Sequence, residues 1–345
     1  MKTITMMGMS RCMGGANVES GYTALLWRSL GIPVTIIPAS KESPDNPWIE
    51  RLGEAGCKIM RVIDPREIPD QTWLHGRTIV DFAVERAVRL WPTLLRMGCK
   101  LIHVPCMTAT TPSEADNFRH NPPSAVVFQS EFQRSQLSLQ YTLMGVPADR
   151  QVLIRGAFSI EDYPFTPSEY TPGAPFIVTR IARPDPVKWP SSLVRILEQV
   201  RASGVDARGH FLGWTPAMER FSGPLPTWCR GIAPDSIPAS VVLRDSHAIL
   251  CHGTCNENWP RVILEAFAAG VPVVADNHSG FREMIQHGET GLLASTTKEF
   301  ADALLRLATD EAFRQRMASR ARAALEQLAD PAEIGGKWRS LFAGL

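Results

Sequence analysis

Short apolar runs recur along the chain, separated by longer stretches in which apolar residues return every three or four positions. This alternation predicts parallel strands covered by helices. In the first half, strands are expected at 4–8, 34–38, 58–63, 78–82, 100–105 and 125–128, with a helix opening near Asn17 and further helices over 83–97 and 131–144. The stretch 163–175 is crowded with proline, glycine, serine and threonine and reads as a linker, after which the pattern restarts. Strands at 176–181, 207–213, 247–251 and 272–275, with helices over 191–202 and 259–269, form a second unit. The segments 297–307, 311–328 and 331–342 are helical in pattern. The expected organisation is a first α/β domain over 1–165, a second over 166–330, and a terminal helix within 331–345 that packs back on the first.

Composition narrows the class without identifying it. A length of 345 residues favours two cores over one, and 44% hydrophobic with 21% charged residues is the balance of a globular protein. A formal net charge of +1 supplies no global field toward nucleic acid or an anionic membrane, so an anion site has to be local. The arginines at 314, 316, 320 and 322 read as a solvated helix face. The apolar start is too short for a signal peptide or a membrane span, and the odd set of seven scattered cysteines does not resemble a disulfide framework. A cytoplasmic setting is expected, with peripheral membrane association left open.

In open parallel sheets, ligands bind beyond the carboxyl ends of the strands, which selects three places. Gly14 and Gly15 follow the first strand, where backbone can approach a phosphate and a helix N-terminus presents N–H donors. Arg180, Arg183 and Lys188 follow the first strand of the second unit and are candidates for gripping a diphosphate. Glu257 and Glu265 bracket a strand-to-helix turn; on one continuous helix they would be about 12 Å apart, roughly the span from a ribose across a diphosphate to a sugar ring. Cys251, His252 and Cys255 suggest a metal, but no second Cys/His pair completes a four-ligand set, and no metal or cofactor is expected.

The run from Glu257 to Leu293 resembles the family 4 retaining glycosyltransferases of GT-B fold. Its components are Glu-x7-Glu, the segment Glu265-Ala-Phe-Ala-Ala-Gly-Val-Pro-Val-Val-Ala, then Ser279-Gly280 and His287-Gly-Glu-Thr-Gly-Leu-Leu293. The resemblance implies two Rossmann-like domains with parallel sheets facing across a cleft, the second holding a nucleotide diphosphate sugar and the first an unidentified small-molecule, glycan or lipid-linked acceptor. It implies that Glu265 binds the donor ribose, that Glu257 contacts the transferred sugar, and that Arg183 and Lys188, with Arg180 competing, hold the diphosphate opposite Gly14 and Gly15. It further implies metal-independent transfer with retention of configuration. Two departures stand out. Pro260 replaces a residue whose N–H could face a phosphate, with Arg261 a candidate replacement, and the family's histidine near the reacting centre has no certain counterpart. His103 and Asp81, at expected strand ends, are the catalytic candidates there.

Two rivals share the architecture. An NAD-dependent oxidoreductase needs a full glycine fingerprint and an acid after strand two, where this chain has Pro38-Ala39-Ser40-Lys41. A catalytically inactive GT-B scaffold acting as a binding or regulatory partner is the alternative that the Pro260 departure allows.

Overall fold

A computed structural model of the protein describes residues 3–8, 14–38, 46–61, 65–82 and 85–345. The chain divides into two compact units, one built from residues up to 158 together with 329–345, the other from 159–328.

The first unit contains β1 (Ile4–Gly8), α1 (Gly15–Ser29), β2 (Val34–Pro38), α2 (Pro47–Glu54), β3 (Lys58–Ile59), β4 (Thr78–Asp81), α3 (Glu85–Arg96), β5 (Lys100–His103), α4 (Pro112–His120), β6 (Ala125–Phe128), α5 (Glu131–Leu143) and β7 (Gln151–Leu153). Its seven strands lie in the order β3-β2-β1-β4-β5-β6-β7, all pairs parallel. The strands β1, β2, β4 and β6 are buried along their whole length, which is why they read as unbroken apolar runs. One face of the sheet is covered by a core that includes Trp91, Leu94, Phe118, Phe128 and Tyr141.

The second unit contains β8 (Phe176–Ile181), α6 (Ser192–Ala202), β9 (Ala207–Leu212), α7 (Glu219–Ser222), β10 (Cys229–Ile232), α8 (Ala239–Arg244), β11 (Ala248–Cys251), α9 (Arg261–Ala269), β12 (Val273–Asp276), α10 (Phe281–Met284), β13 (Leu292–Ala294), α11 (Thr297–Thr309) and α12 (Glu311–Leu328). The six strands run β10-β9-β8-β11-β12-β13, again all parallel. In both sheets the strand order reverses once, between β1 and β4 and between β8 and β11. Those reversals open a crevice at the strand carboxyl ends, the place where such sheets bind ligands. Each unit is a parallel-sheet, Rossmann-like α/β domain, as the GT-B resemblance implies.

Several elements differ from the periodicity reading. The strand expected over 58–63 is Lys58–Ile59, with 62–63 outside the described residues. The edge strands β7, β10 and β13 and the short helices α2 and α4 were not anticipated; β10 reads Cys-Arg-Gly-Ile, too polar to register as an apolar run. The helix expected from 259 begins at Arg261, because Pro260 occupies the cap position. The stretch read as a linker is fastened to the second unit. Thr166 N–H donates to Ala269 O at 3.1 Å, Arg314 Nη1 donates to Ser168 O at 2.7 Å, and the Tyr170 ring meets Phe176 edge-on at 5.0 Å.

The terminal helix α13 (Pro331–Ala343) belongs to the first unit. Its Trp338 stands edge-on to Trp27 at 5.0 Å, and Gly335 lies so close to Leu30 that an added Cβ would come within 2.7 Å of it. Among the described residues no helix is long and apolar enough to cross a membrane. Trp338 is 2% exposed, so Trp338→Ala is expected to cost about 3–5 kcal/mol, read as a lower denaturation midpoint of the first unit. An unchanged midpoint would show that α13 is dispensable.

Candidate functional site

In the second unit, loops from three strand ends converge at the β8/β11 reversal. After β8 the chain turns through Arg183 to Lys188. After β11 it runs from His252 to Pro260, and after β12 through Asn277 to Gly280. Backbone bonds tie these loops together: Thr254 N–H donates to Val187 O at 2.9 Å, and Gly280 N–H to Glu257 O at 2.9 Å. The Ser279 hydroxyl accepts from Glu257 N–H at 3.2 Å. Gly280 has to be glycine here, because a Cβ would lie 1.7 Å from Asn258 O. Ser279 takes φ +54°, a left-handed conformation uncommon outside glycine.

Beneath these loops Asp276, the last residue of β12, acts as a clasp. One carboxylate oxygen lies 2.7 Å from His252 Nδ1 and the other accepts from Gly253 N–H at 3.0 Å. The other imidazole nitrogen of His252 is 2.8 Å from the Ser192 hydroxyl at the start of α6. His252 thus links β11, β12 and α6, a role the sequence reading missed by grouping it with Cys251 and Cys255. No group of metal-binding side chains assembles among the described residues. The buried Cys251 thiol is pushed up to about 12 by desolvation.

The expected cations separate by environment. Arg180 is 4% exposed; its guanidinium donates to Leu250 O at 3.3 Å and Lys188 O at 2.9 Å and lies over the Trp189 ring. It therefore braces the loop. Arg183 is exposed. Lys188 forms an ion pair with Glu257. Glu257 precedes α9, so the continuous-helix spacing to Glu265 does not apply. Glu265 lies within α9 at 8% exposure, one turn along from Arg261 in a helix otherwise made of apolar residues, with Gly270 closing the helix at φ +82°. Desolvation pushes its carboxyl above the ordinary range, against the opposing pull of Arg261 and a hydrogen bond with Tyr163. Arg261, at the first helical position, is itself 7% exposed.

In the first unit Gly14 caps α1 in an extended conformation, Gly15 opens the helix, and Val18 N–H donates to Gly14 O at 3.1 Å. Residues 9–13 of the same expected loop lie outside the described residues. His103 and Asp81, expected at an open strand end, are instead 0% and 1% exposed. His103 Nδ1 is 3.1 Å from Asp81 Oδ2 and Nε2 is 3.1 Å from Glu114 Oε1, with Trp91, Phe118 and Tyr141 around the ring. Burial alone would lower the imidazole pKa, but the two carboxylates outweigh it and raise it to about 9. Glu114 moves the other way: burial raises it, and His103 and Thr111 bring it below its ordinary value. Sequence reading passed over Glu114, although Thr111-x-x-Glu114 is a capping-box signature, and the structure forms that box.

With this geometry in view, comparison with known proteins is informative. Residues 239–324, which include the β11 and β12 loops and α9, match the family described as Glycosyl transferases group 1. The chain is 30% identical over 214 residues to a GDP-mannose-dependent alpha-(1-6)-phosphatidylinositol monomannoside mannosyltransferase of Mycobacterium tuberculosis, covering 54% of this chain and 52% of that protein. It is 29% identical over 143 residues to a D-inositol 3-phosphate glycosyltransferase of Nocardioides, covering 41% and 27%. The chain thus spans about half or less of the length of these relatives. Among solved structures, Anabaena HepE in complex with UDP and glucose superposes with a TM-score of 0.78 at 17% identity over 100% of both chains. A variant of S. aureus TarM in complex with Fondaparinux, alpha-GlcNAc-glycerol and UDP superposes with 0.78 at 13% identity, covering 99% of this chain and 100% of that one.

The His103 cluster has a testable pH signature. A histidine raised from 6.5 to about 9 contributes stability that is complete below pH 6.5 and lost as pH rises to about 9. Glu114 contributes above its ordinary 4.5 and loses that contribution on acidification. Urea unfolding between pH 6.5 and 9 should show stability falling in the wild type and a flatter profile in His103→Gln. Equal slopes in the two proteins would contradict the assignment.

Proposed function

We propose that this chain is a retaining glycosyltransferase that moves a sugar from a nucleotide diphosphate sugar to an acceptor hydroxyl. The observation that carries the reading is the pairing of Lys188 with Glu257 on loops at the β8/β11 reversal, with Glu257 and the buried Glu265 of α9 both inside the segment that matches the glycosyl transferase family. The ligands named for the solved neighbours, UDP and glucose among them, support the same donor class.

In this reading Glu265 accepts hydrogen bonds from the donor ribose. Its carboxyl, raised by burial, becomes a better acceptor as pH rises and it ionises. Lys188 and Arg183 neutralise the diphosphate, while Arg180 holds the loop that carries Lys188. Glu257 meets the transferred sugar, and Arg261 at the head of α9 offsets Pro260, which has no N–H to donate. Gly14 and Gly15 head α1 of the first unit, a helix N-terminus whose N–H groups suit a phosphate. His103 and Asp81 act as supports, holding the ends of β5 and β4. In the chemical step the bond from the anomeric carbon to the leaving phosphate oxygen breaks. The acceptor oxygen bonds to that carbon on the same face and its proton passes to the departing phosphate, whose negative charge the cations stabilise. The step is assigned no metal.

Donor hydrolysis and transfer should be measured over a panel that includes GDP-mannose and UDP-glucose, with EDTA present. The wild type should turn over at least one donor, and Glu265→Gln should lose about tenfold to a hundredfold in kcat/KM, as removal of a hydrogen bond to a charged acceptor does. Relative to the variant, the wild type should lose stability as pH rises, because a carboxyl with a raised pKa destabilises the folded protein once it ionises. Absence of nucleotide binding and turnover in the wild type would sink the proposal.

A further inference from the structure

The two groups assigned to opposite ends of the donor, Lys188 to the diphosphate and Glu257 to the sugar, are paired with each other in the ligand-free protein. Their side chains are only 14% and 26% exposed. Both are placed by backbone: the Lys188 carbonyl is held by Arg180, its neighbour Val187 accepts from Thr254, and Glu257 is fixed through its own N–H and carbonyl to Ser279 and Gly280. The pair is thus a property of the loop framework.

Resting on the donor site proposed above, we infer that Glu257 is a selectivity gate as well as a sugar contact: it occupies Lys188 until a ligand arrives that can satisfy both. A diphosphate alone draws Lys188 away and leaves the Glu257 carboxylate, partly desolvated, without its cation. A nucleotide sugar supplies phosphate oxygens to Lys188 and sugar hydroxyls to Glu257, so neither group is stranded. Once the sugar has been transferred, Glu257 has no hydroxyls to accept from and competes again for Lys188, which favours release of the spent nucleoside diphosphate. The gate is a charge exchange within the site and needs no movement of the fold.

The test is calorimetric titration of the full chain with UDP and with GDP, and with UDP-glucose and GDP-mannose, using wild type, Glu257→Gln, Glu257→Asp, Lys188→Ala and the Lys188→Ala/Glu257→Gln double variant. Glu257→Gln should bind the free diphosphate about fivefold more tightly than wild type, the upper range for a partly exposed ion pair. Its preference for nucleotide sugar over nucleoside diphosphate should narrow. Added salt should shrink the difference, and in the Lys188→Ala background it should vanish. Glu257→Asp, which keeps the charge, should stay near wild type. Equal or weaker diphosphate binding by Glu257→Gln overturns the gate while leaving the donor site standing, as does a gain that persists without Lys188 or appears equally in Glu257→Asp. No binding of any nucleotide by any form overturns the donor site itself, and the gate with it.

Discussion

A carboxylate on the last residue of one strand gripping an imidazole at the end of its neighbour is the constraint on which both units are arranged. In the second unit Asp276 at the end of β12 holds His252 beyond β11; in the first, Asp81 at the end of β4 holds His103 at the end of β5. A parallel sheet delivers strand carboxyl ends to one edge but does not fix the loops that leave it. The two clasps do so differently. Asp81 and His103, joined by Glu114, are sealed among aromatic rings. Asp276 and His252 sit closer to solvent and use their remaining bonds on Gly253, where the loop toward Glu257 begins, and on Ser192 at the start of α6.

From that base the second unit builds a site in layers. Arg180, although a cation at a strand end, is committed to carbonyls of Leu250 and Lys188 and serves as framework. Lys188 and Glu257 stand one layer out, partly exposed and paired. Glu265 is buried on α9, where Arg261 one turn earlier and a hydrogen bond with Tyr163 offset only part of its desolvation. Keeping a carboxylate there costs stability. A protein carries such a cost where the group has a partner to meet, and a ribose diol is a partner of suitable chemistry.

The architecture was legible because buried parallel strands leave unbroken apolar runs: β1, β2, β4, β6, β8 and β11 all announce themselves in this way. The edge strands did not. Cys229–Ile232 carries arginine and glycine, and Gln151–Leu153 is three residues long, so neither generates a period. Within the site, Glu257, Glu265, Lys188 and Arg183 stood out because they follow strands or interrupt an apolar helix. The clasps were hidden for a different reason. His252 and Asp276 are 24 residues apart and His103 and Asp81 are 22 apart, and pairings of that kind exist only once the sheet has set its register. His103 showed itself as a strand-end histidine, but nothing local revealed that two carboxylates and three aromatic rings would enclose it.

The central claim is that the β8/β11 reversal of the second unit binds a nucleotide diphosphate sugar. Amide hydrogen exchange of the full chain, with and without saturating UDP-glucose or GDP-mannose, reads this directly. The account predicts slowed exchange over 183–188, 252–258 and 261–266 with the donor that binds, and no change in β9 and β10 at the far edge of the same sheet. Protection absent from those three segments while a donor is demonstrably bound would contradict it.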